Sequence, residues 1–446
     1  MTRGGEDRKR ATSVPRSPKG GTARRVPREI IEKVLKRTEL EGLVAERAAV
    51  RARTPDGIAL AHCPFHRARG SDAPPTLRID VSTGTVRCEE RSCGFRASAI
   101  GWLMATEHMS FEAALHELGV RAGVVTERWI PHRVLQEEAR KLSTLNEAVL
   151  EDYRTGLLRE EPARRYLEER GFTQETVKRW RLGWADGSSA QIDHGRSDRR
   201  RRLWRAGLLY HDGRCRFRQR IVFPIERSDG LLVGFGARTI GQHEPKYLNS
   251  ETSASFAKGR LLFGLSEALR RAGGGRIARL IVLEGYTDVL ALDQAGIAGA
   301  VATLGTAMTE SHLELAFAHA DSVTLCFDGD PAGTDAARRA MRRVLGVLRA
   351  DRRLDFARMP DGHDPDSMVR EHGADEARRA IGRTRSLAEM FVETVACDCD
   401  MDSIGGMAKF GAEAKRALKS VPDAALRREL RSSAEARIGL TLDDDA

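Results

Sequence analysis

Residues 278–330 read ARLIVLEGYTDVLALDQAGIAGAVATLGTAMTESHLELAFAHADSVTLCFDGD. Short apolar runs (ARLIVLEG, AGAVATLG, SVTLCFDGD) alternate with helix-patterned segments (YTDVLALDQAG, TESHLELAFAHA). The alternation continues through the helical TDAARRAMRRVLGVLRA to a further strand, RLDFARMP. Strand–helix–strand order of this kind leads to a parallel sheet with helices on both faces. In open sheets of that type the reactive crevice lies beyond the carboxyl ends of the strands.

Three of these strands end in acids. The first delivers Glu284, with Asp288 in the first turn of the next helix. The third delivers Asp328 and Asp330, and RLDFARMPDGHDPD delivers Asp361, Asp364 and Asp366. Two carboxylates about 5 Å apart repel by roughly 3 kcal/mol at an effective dielectric near 20, and each added acid raises the total. Turn chemistry accounts for a single Asp-Gly-Asp. Three acidic strand ends on one edge call for a hard divalent cation, and Mg²⁺ held by a few carboxylates and a substrate phosphate fits. Gly329 and Gly333 allow close backbone approach and a tight turn into the following helix.

Upstream of this array the pattern changes. Residues 128–180 are helix-rich and charged, and 208–264 read as strands (RFRQRIVFPIE, GLLVGFGART). Arg216, Arg218 and Arg220 alternate in RFRQR, so one strand would carry all three on one face. Further upstream, PREIIEKVLKRTELEGLVAERA and FRASAIGWLMATEHMSFEAALHELG have helical periodicity, the second closing at Gly119, and short strand-like segments lie between them.

Those short segments hold Cys63 and His66 (HCPFH) and Cys88 and Cys93 (RCEERSC). One His and three Cys complete a tetrahedral structural Zn²⁺ site, and the spacing lies within the range of such sites. His62 is read as a bystander, Cys215 and Cys326 as buried residues of strands, and Cys397 and Cys399 as free thiols. Seven cysteines in a chain of 446 residues do not form a disulfide framework.

The length implies several domains. Hydrophobic residues make up 41% and charged residues 31%. No apolar run is long enough to span a membrane and the amino terminus has no signal-peptide core, so a cytoplasmic location without membrane contact is expected. The net charge is +10. Its basic excess gathers in residues 1–28 and in GRSDRRRRLWRAGLL (195–209), which suits a polyanionic partner, nucleic acid foremost. Taken alone, residues 1–27 read as a basic, disordered, solvated tail.

EGYTDV followed by DGDPAG resembles the Toprim pattern shared by primases, topoisomerases and certain nucleases. RFRQRIVFPI, GFGART, PKYLNSETSASFAKGRLLFGL, DGHDPDSMV and the CPFH start resemble bacterial DnaG-type primases, from near Pro27 to about residue 390. The resemblance implies a multidomain α/β chain (α+β overall). Its expected parts are a basic tail (1–27), a zinc-ribbon-like domain (28–122), a basic mixed α/β part of the core (128–258), a Toprim parallel-sheet subdomain (259–373) and carboxy-terminal helices (374–446). It implies Glu284, Asp328 and Asp330 as catalytic ligands of Mg²⁺ (or Mn²⁺), with Asp288, Asp364 and Asp366 completing the cluster. Arg216, Arg218, Arg220, Arg238, Lys246, Tyr247, Asn249 and Lys258 would line a groove for template and nucleotide. Family members usually space the second pair of zinc ligands C-x2-C, and here EERS lengthens it to C-x4-C.

The implied activity is synthesis of short RNA primers from NTPs on single-stranded DNA. Two other readings compete. A Toprim topoisomerase needs a tyrosine nucleophile, yet none of Tyr153, Tyr166, Tyr210, Tyr247 and Tyr286 follows the acidic array. ATPase-linked Toprim nucleases need a P-loop, and no GK[ST] occurs. A non-catalytic zinc module that binds DNA would not require the acids. Relatives usually carry a helicase-binding helical domain after the core, and residues 374–446 are too few for one, so docking to a replicative helicase by that route is expected to be weak or absent.

Overall fold

A computed structural model describes residues 26–66, 74–107, 109–124, 126, 129–188, 197–210, 213–241, 244–251 and 256–442. Residues 1–25 of the basic tail, Gly195 and Arg196 of the second basic cluster, and residues 252–255 within PKYLNSETSASFAKG lie outside that set. The chain forms two compact units that divide between Glu138 and Ala139. The segments expected as three domains after residue 128 fall almost wholly in the second unit.

The first unit opens with helices α1 (Arg28–Arg37) and α2 (Leu40–Ala45). The periodicity read as one helix is broken at Thr38, which is extended (φ −80°, ψ 125°), and Glu39 starts α2 by accepting the Gly42 N–H. Five short strands follow: β1 (Val50–Arg53), β2 (Ala59–Ala61), β3 (Leu77–Asp80), β4 (Thr85–Cys88) and β5 (Arg96–Ala97). They form an antiparallel meander in chain order. Helices α3 (Ala99–Glu107) and α4 (Phe111–Arg121) close the unit. Ser110 separates them, its hydroxyl capping α4 through the Ala113 N–H. Val34, Leu43, Leu77, Trp102 and Leu115 lie in their common core.

Helix α5 (His132–Arg159) crosses the division, and α6 (Glu161–Glu169), α7 (Gln174–Arg179), β6 (Gly183–Ala185) and α8 (Ser197–Arg205) follow. Strands β7 (Arg220–Glu226), β8 (Leu232–Thr239) and β9 (Tyr247–Asn249) join β6 in an antiparallel sheet. β7 is buried on both faces: Ile221, Phe223 and Ile225 enter one core while Val222 enters another.

The expected strand carrying Arg216, Arg218 and Arg220 is not formed. β7 begins only at Arg220, because Gln219 adopts φ 51° and turns the chain there. Arg216 belongs to a preceding loop, Arg218 is exposed, and Arg220 is buried. The three arginines therefore share no strand face.

After α9 (Leu265–Arg271) the alternating array follows: β10 (Ile277–Leu283), α10 (Tyr286–Gln294), β11 (Ala300–Ala302), α11 (Glu310–His319), β12 (Ala320–Phe327), α12 (Pro331–Val344), β13 (Arg353–Arg358) and α13 (Pro365–Gly382). The strand order is β11-β10-β12-β13-β14, parallel except for β14 (Thr384–Ser386), an antiparallel edge strand absent from the sequence reading. Leu280, Val282, Val323 and Leu325 face one core, and Ile281, Leu283, Cys326 and Ala357 face the other. This period-2 split is what a doubly covered sheet requires. Helices α14 (Leu387–Ala396), α15 (Ile404–Leu418) and α16 (Ala424–Ile438) finish the chain, and their Phe391, Phe410 and Leu430 join the first of these cores.

Candidate active site and zinc centre

From β10 the chain goes outward to β11, then crosses back to β12 on the other side of β10 and on to β13. Strand order thus reverses between β10 and β12, and crevices open at such switch points. Glu284 follows β10, Asp328 and Asp330 follow β12, and Asp364 and Asp366 follow β13, so the three acidic ends belong to adjacent strands.

Each acid is placed by local chemistry. Asp330 caps α12, accepting the Gly333 N–H at 2.6 Å, with Pro331 in the first turn. Asp364 caps α13 in the same manner, accepting the Ser367 N–H at 2.6 Å, while its own N–H donates to the Ser367 hydroxyl at 3.0 Å. Gly333 is required because a Cβ there would meet the Asp328 carbonyl oxygen at 2.3 Å.

The acids form two overlapping groups. Asp288, Asp364 and Asp366 have carboxylate oxygens within 4.8 Å of one another. Asp328 links this trio to Glu284 and Asp330: it repels Asp288 and Glu284 and is itself repelled by Asp364 and Asp330. Partial burial, then the charges of Asp328 and Asp330, raise Glu284 to about 7. Burial, then Asp364 and Asp330, raise Asp328 to about 6. Asp288 is pushed well up by burial and by Asp364, Asp328 and Asp366. Glu284 also borders a cavity of ≈ 310 Å³ with Thr303, Thr306 and Arg339, and Arg339 is the cation that acts on it. Among the described residues no ion pair neutralises Glu284, Asp288, Asp328, Asp330 or Asp364. All-oxygen donors at this density, without an ion pair among them, fit a hard divalent cation.

Two residues of the set differ in character. Asp366, 2% exposed, is ion-paired with Arg170, which follows α6. The Asp366 N–H also donates to Asp288 Oδ1 at 3.2 Å. Asp361 points away, exposed, to Arg358 at 2.9 Å. Arg170 was not singled out from the sequence: it lies 196 positions from Asp366, and EERGF carries no motif that signals such a pairing.

The basic and aromatic residues form two sets. Arg216 donates from Nε to the Asn249 carbonyl at 2.7 Å, lies over the Tyr210 ring, and adds to the burial that lowers the Lys258 ammonium. Lys246 and Arg218 are exposed. In contrast, Arg238 is buried between the rings of Tyr166 and Tyr247, donating to the Tyr247 hydroxyl at 2.9 Å. Arg220, also buried, donates to the Lys246 carbonyl at 3.2 Å. Tyr286, from EGYTDV, lies against β8 so closely that a Cβ on Gly236 would meet its ring at 2.4 Å. Its hydroxyl donates to Asn249 Oδ1 at 2.5 Å, and Asn249 Nδ2 donates to the Leu304 carbonyl at 2.8 Å. This chain of contacts ties β9 to the acidic sheet.

In the first unit Cys63, His66, Cys88 and Cys93 bring their ligand atoms within 4.8 Å of one another. His66 Nε2 is 3.2 Å from Cys88 Sγ, and Cys63 Sγ is 3.8 Å from Cys93 Sγ. The lengthened EERS spacer is absorbed in a turn: the Cys93 N–H donates to the Glu90 carbonyl at 3.0 Å, Gly94 takes φ 61°, and the Cys88 N–H donates to Phe95 at 2.8 Å. Burial raises the Cys63 and Cys93 thiols. At Cys88, hydrogen bonds led by the Thr76 hydroxyl outweigh burial and lower the thiol. Phe65 and Phe95, from the two ligand loops, pack on each other at 4.2 Å and on Trp102 at 5.8 Å. Three thiols and an imidazole are a zinc donor set.

Family models match three stretches: the CHC2 zinc finger over residues 26–131, the DNA primase catalytic core amino-terminal domain over 153–269, and the Toprim domain over 278–352. The chain thus carries a Zn²⁺ finger and a Toprim domain, which binds divalent metal. A DNA primase of Pasteurella multocida is 33% identical over 427 residues, covering 93% of this chain and 72% of that protein. The Escherichia coli K12 DNA primase is 33% identical over 441 residues, covering 95% and 73%. Among solved structures, a DnaG primase catalytic domain bound to ssDNA is 35% identical, with a TM-score of 0.63 over 69% of this chain and 98% of that one. The Aquifex aeolicus primase (zinc-binding and RNA polymerase domains) is 26% identical, with a TM-score of 0.57 over 93% and 98%. Among the described residues no helix is long and apolar enough to cross a membrane. With three cysteines and a histidine gathered in one unit, acids gathered at the switch point of the other, and relatives matched across both, this chain belongs to the bacterial DnaG-type DNA primase family.

Proposed function

We propose that this protein synthesises short RNA primers on a single-stranded DNA template, joining NTPs by metal-dependent nucleotidyl transfer. The observation that carries the reading is the convergence of Glu284, Asp328, Asp330 and Asp364 on one crevice, with no cation of the chain to balance most of them. In the reaction the 3′-hydroxyl oxygen of the growing strand bonds to the α-phosphorus of the incoming NTP. The bond from that phosphorus to the bridging oxygen breaks, and pyrophosphate and the hydroxyl proton leave.

Glu284, Asp328, Asp330 and Asp364 are the ligands we assign to Mg²⁺ (or Mn²⁺). Held by these carboxylates, a magnesium ion would supply charge neutralisation for the phosphates and would favour ionisation of the attacking hydroxyl. Asp288 and Asp366 lie deeper, and we assign them to the floor of the site, where they position the ligands above. Asp330 and Asp364 are held in place as helix caps, so their carboxylates are oriented before substrate arrives. Arg216, Arg218, Lys246 and Lys258 are the groups we assign to template and triphosphate phosphates. Buried Arg220 and Arg238, with Tyr247 and Asn249, brace the groove from behind. The zinc unit (28–122) is assigned to template recognition and initiation.

Incubation with NTPs, Mg²⁺ and single-stranded DNA tests the reading. Wild type should yield oligoribonucleotides. Asp328→Ala should abolish synthesis while retaining single-stranded DNA binding, since it removes a metal ligand and no phosphate contact. Absence of product from wild type with either Mg²⁺ or Mn²⁺ overturns the proposal.

A further inference from the structure

A third group of side chains able to ligate a metal shares the loop that bears Asp364 but none of the ligand atoms of the two sites described above. His363, Glu371 and His372 bring one ligand atom each within 4.8 Å of one another. His363 belongs to the loop between β13 and α13, half-buried, while Glu371 and His372 are exposed on α13. The imidazoles of His363 and His372 meet edge to face at 4.9 Å, and His363 Nδ1 is 3.9 Å from Glu371 Oε2.

The local backbone accounts for the convergence. Neighbouring residues of a regular helix point about 100° apart and do not share a ligand. Here α13 is interrupted at Gly373, whose φ of 83° and ψ of 171° are not helical, so His372 ends a first, eight-residue segment. The negative end of that segment's dipole favours a cation beside His372. At the other end of the same segment, Ser367 Oγ lies 3.5 Å from His363 Nδ1.

We propose that His363, Glu371 and His372 form a binding site for a borderline first-row divalent cation of the Zn²⁺ class, distinct from the zinc finger and from the carboxylate cluster. Two imidazole nitrogens and one carboxylate are a zinc ligand set that leaves a fourth position for water, whereas Mg²⁺ prefers all-oxygen surroundings. Tetrahedral zinc needs its ligand atoms about 3.3 Å apart. The exposed Glu371 and His372 side chains are free of packing that would prevent that small closure. Glu371 also accepts from Arg370 Nη2 at 3.1 Å through its other oxygen, Oε1. A bound ion would fasten the 361–364 loop to α13, one residue from Asp364.

Zinc uptake by the full chain tests this. With the zinc finger already loaded and millimolar Mg²⁺ present, wild type should take up one further Zn²⁺. His372→Ala, Glu371→Ala and His363→Ala should each weaken that uptake at least tenfold, with the finger's zinc retained as an internal reference. Asp288→Asn should leave it unchanged. The proposal is overturned if wild type binds no further ion. It is equally overturned if the extra ion survives the paired His363→Ala, His372→Ala change and disappears with Asp288→Asn, which would place it among the carboxylates.

Discussion

The backbone N–H of Gly329 donates to the carbonyl of His363 at 2.8 Å, and the Gly362 N–H returns to the Gly329 carbonyl at 3.0 Å. The glycine between Asp328 and Asp330 is thereby stitched to the loop that bears Asp364. The fit leaves no room for a side chain, since a Cβ on Gly329 would lie 1.8 Å from the Pro360 carbonyl oxygen. Gly329→Ala must therefore push the two acidic loops apart. Overpacking of this kind costs about 1–3 kcal/mol of stability. Displacing catalytic groups by around 1 Å costs on the order of 100-fold in rate. Urea denaturation and primer synthesis on the same preparation check both figures, and a variant within twofold of wild type in activity would contradict the coupling.

Arg170 is the nearer of two countercharges of a nearly inaccessible carboxylate, Asp366, with Arg370 Nη1 at 3.9 Å as the other. Removing one partner of a buried pair costs more than the pair contributes, because the other charge is left stranded. Arg170 keeps some contact with solvent and Arg370 remains near Asp366, so Arg170→Met should lose roughly 2–4 kcal/mol, toward the lower part of the range for such pairs. Adding Asp366→Asn should restore at least half of that loss, a coupling that a double-mutant cycle measures directly. Additive effects of the two changes would mean that the pair is not the source of the loss.

The acidic ends of β10, β12 and β13 were legible in the sequence because each is a local event: an apolar run, an acid, a glycine or proline, and a helix start. The clustering of Cys63, His66, Cys88 and Cys93 was legible for the same reason, and the turn at Gly94 absorbs the two extra residues. What escaped was non-local or conformational. Nothing beside Arg170 signals Asp366, and nothing in RFRQR announces that Gln219 will take a positive φ and divide the arginines. Nor does GFGART announce that Arg238 will be buried against the rings of Tyr166 and Tyr247. Burial decides such cases, and burial depends on what tertiary packing brings from elsewhere in the chain.

The zinc centre makes a prediction specific to its lengthened spacer. If the EERS turn delivers Cys93 as effectively as a shorter loop, Cys93→Ser should cost as much zinc affinity as Cys88→Ser, at least tenfold for each. Cobalt substitution reports the geometry, with intense visible absorption expected from a tetrahedral site in wild type and its loss in either variant. Initiation on template should fall more than extension of a preformed primer. Full zinc content in Cys93→Ser would remove that residue from the ligand set.

Glu284 and Asp328, raised to about 7 and about 6, make the metal-free protein sensitive to pH. Unfolded carboxyls titrate near their ordinary values, so between about pH 4 and 7 the native state binds more protons than the unfolded state. The contribution of these two groups to stability must then fall as pH rises through that window, and level off above it, where both are ionised in both states. The proposed binding of Mg²⁺ would reverse the preference, because its ligands must be ionised. At pH 6 metal binding should release roughly one to two protons, and at pH 8 close to none. Apparent Mg²⁺ affinity should therefore climb between pH 6 and 7.5 and flatten above it. Calorimetric titrations in buffers of different ionisation enthalpy count the protons directly. Asp328→Asn should reduce both the affinity and the proton count, because the change deletes one titrating ligand and relieves the repulsion on Glu284. An affinity unchanged from pH 6 to 8 would show that neither carboxylate holds the ion.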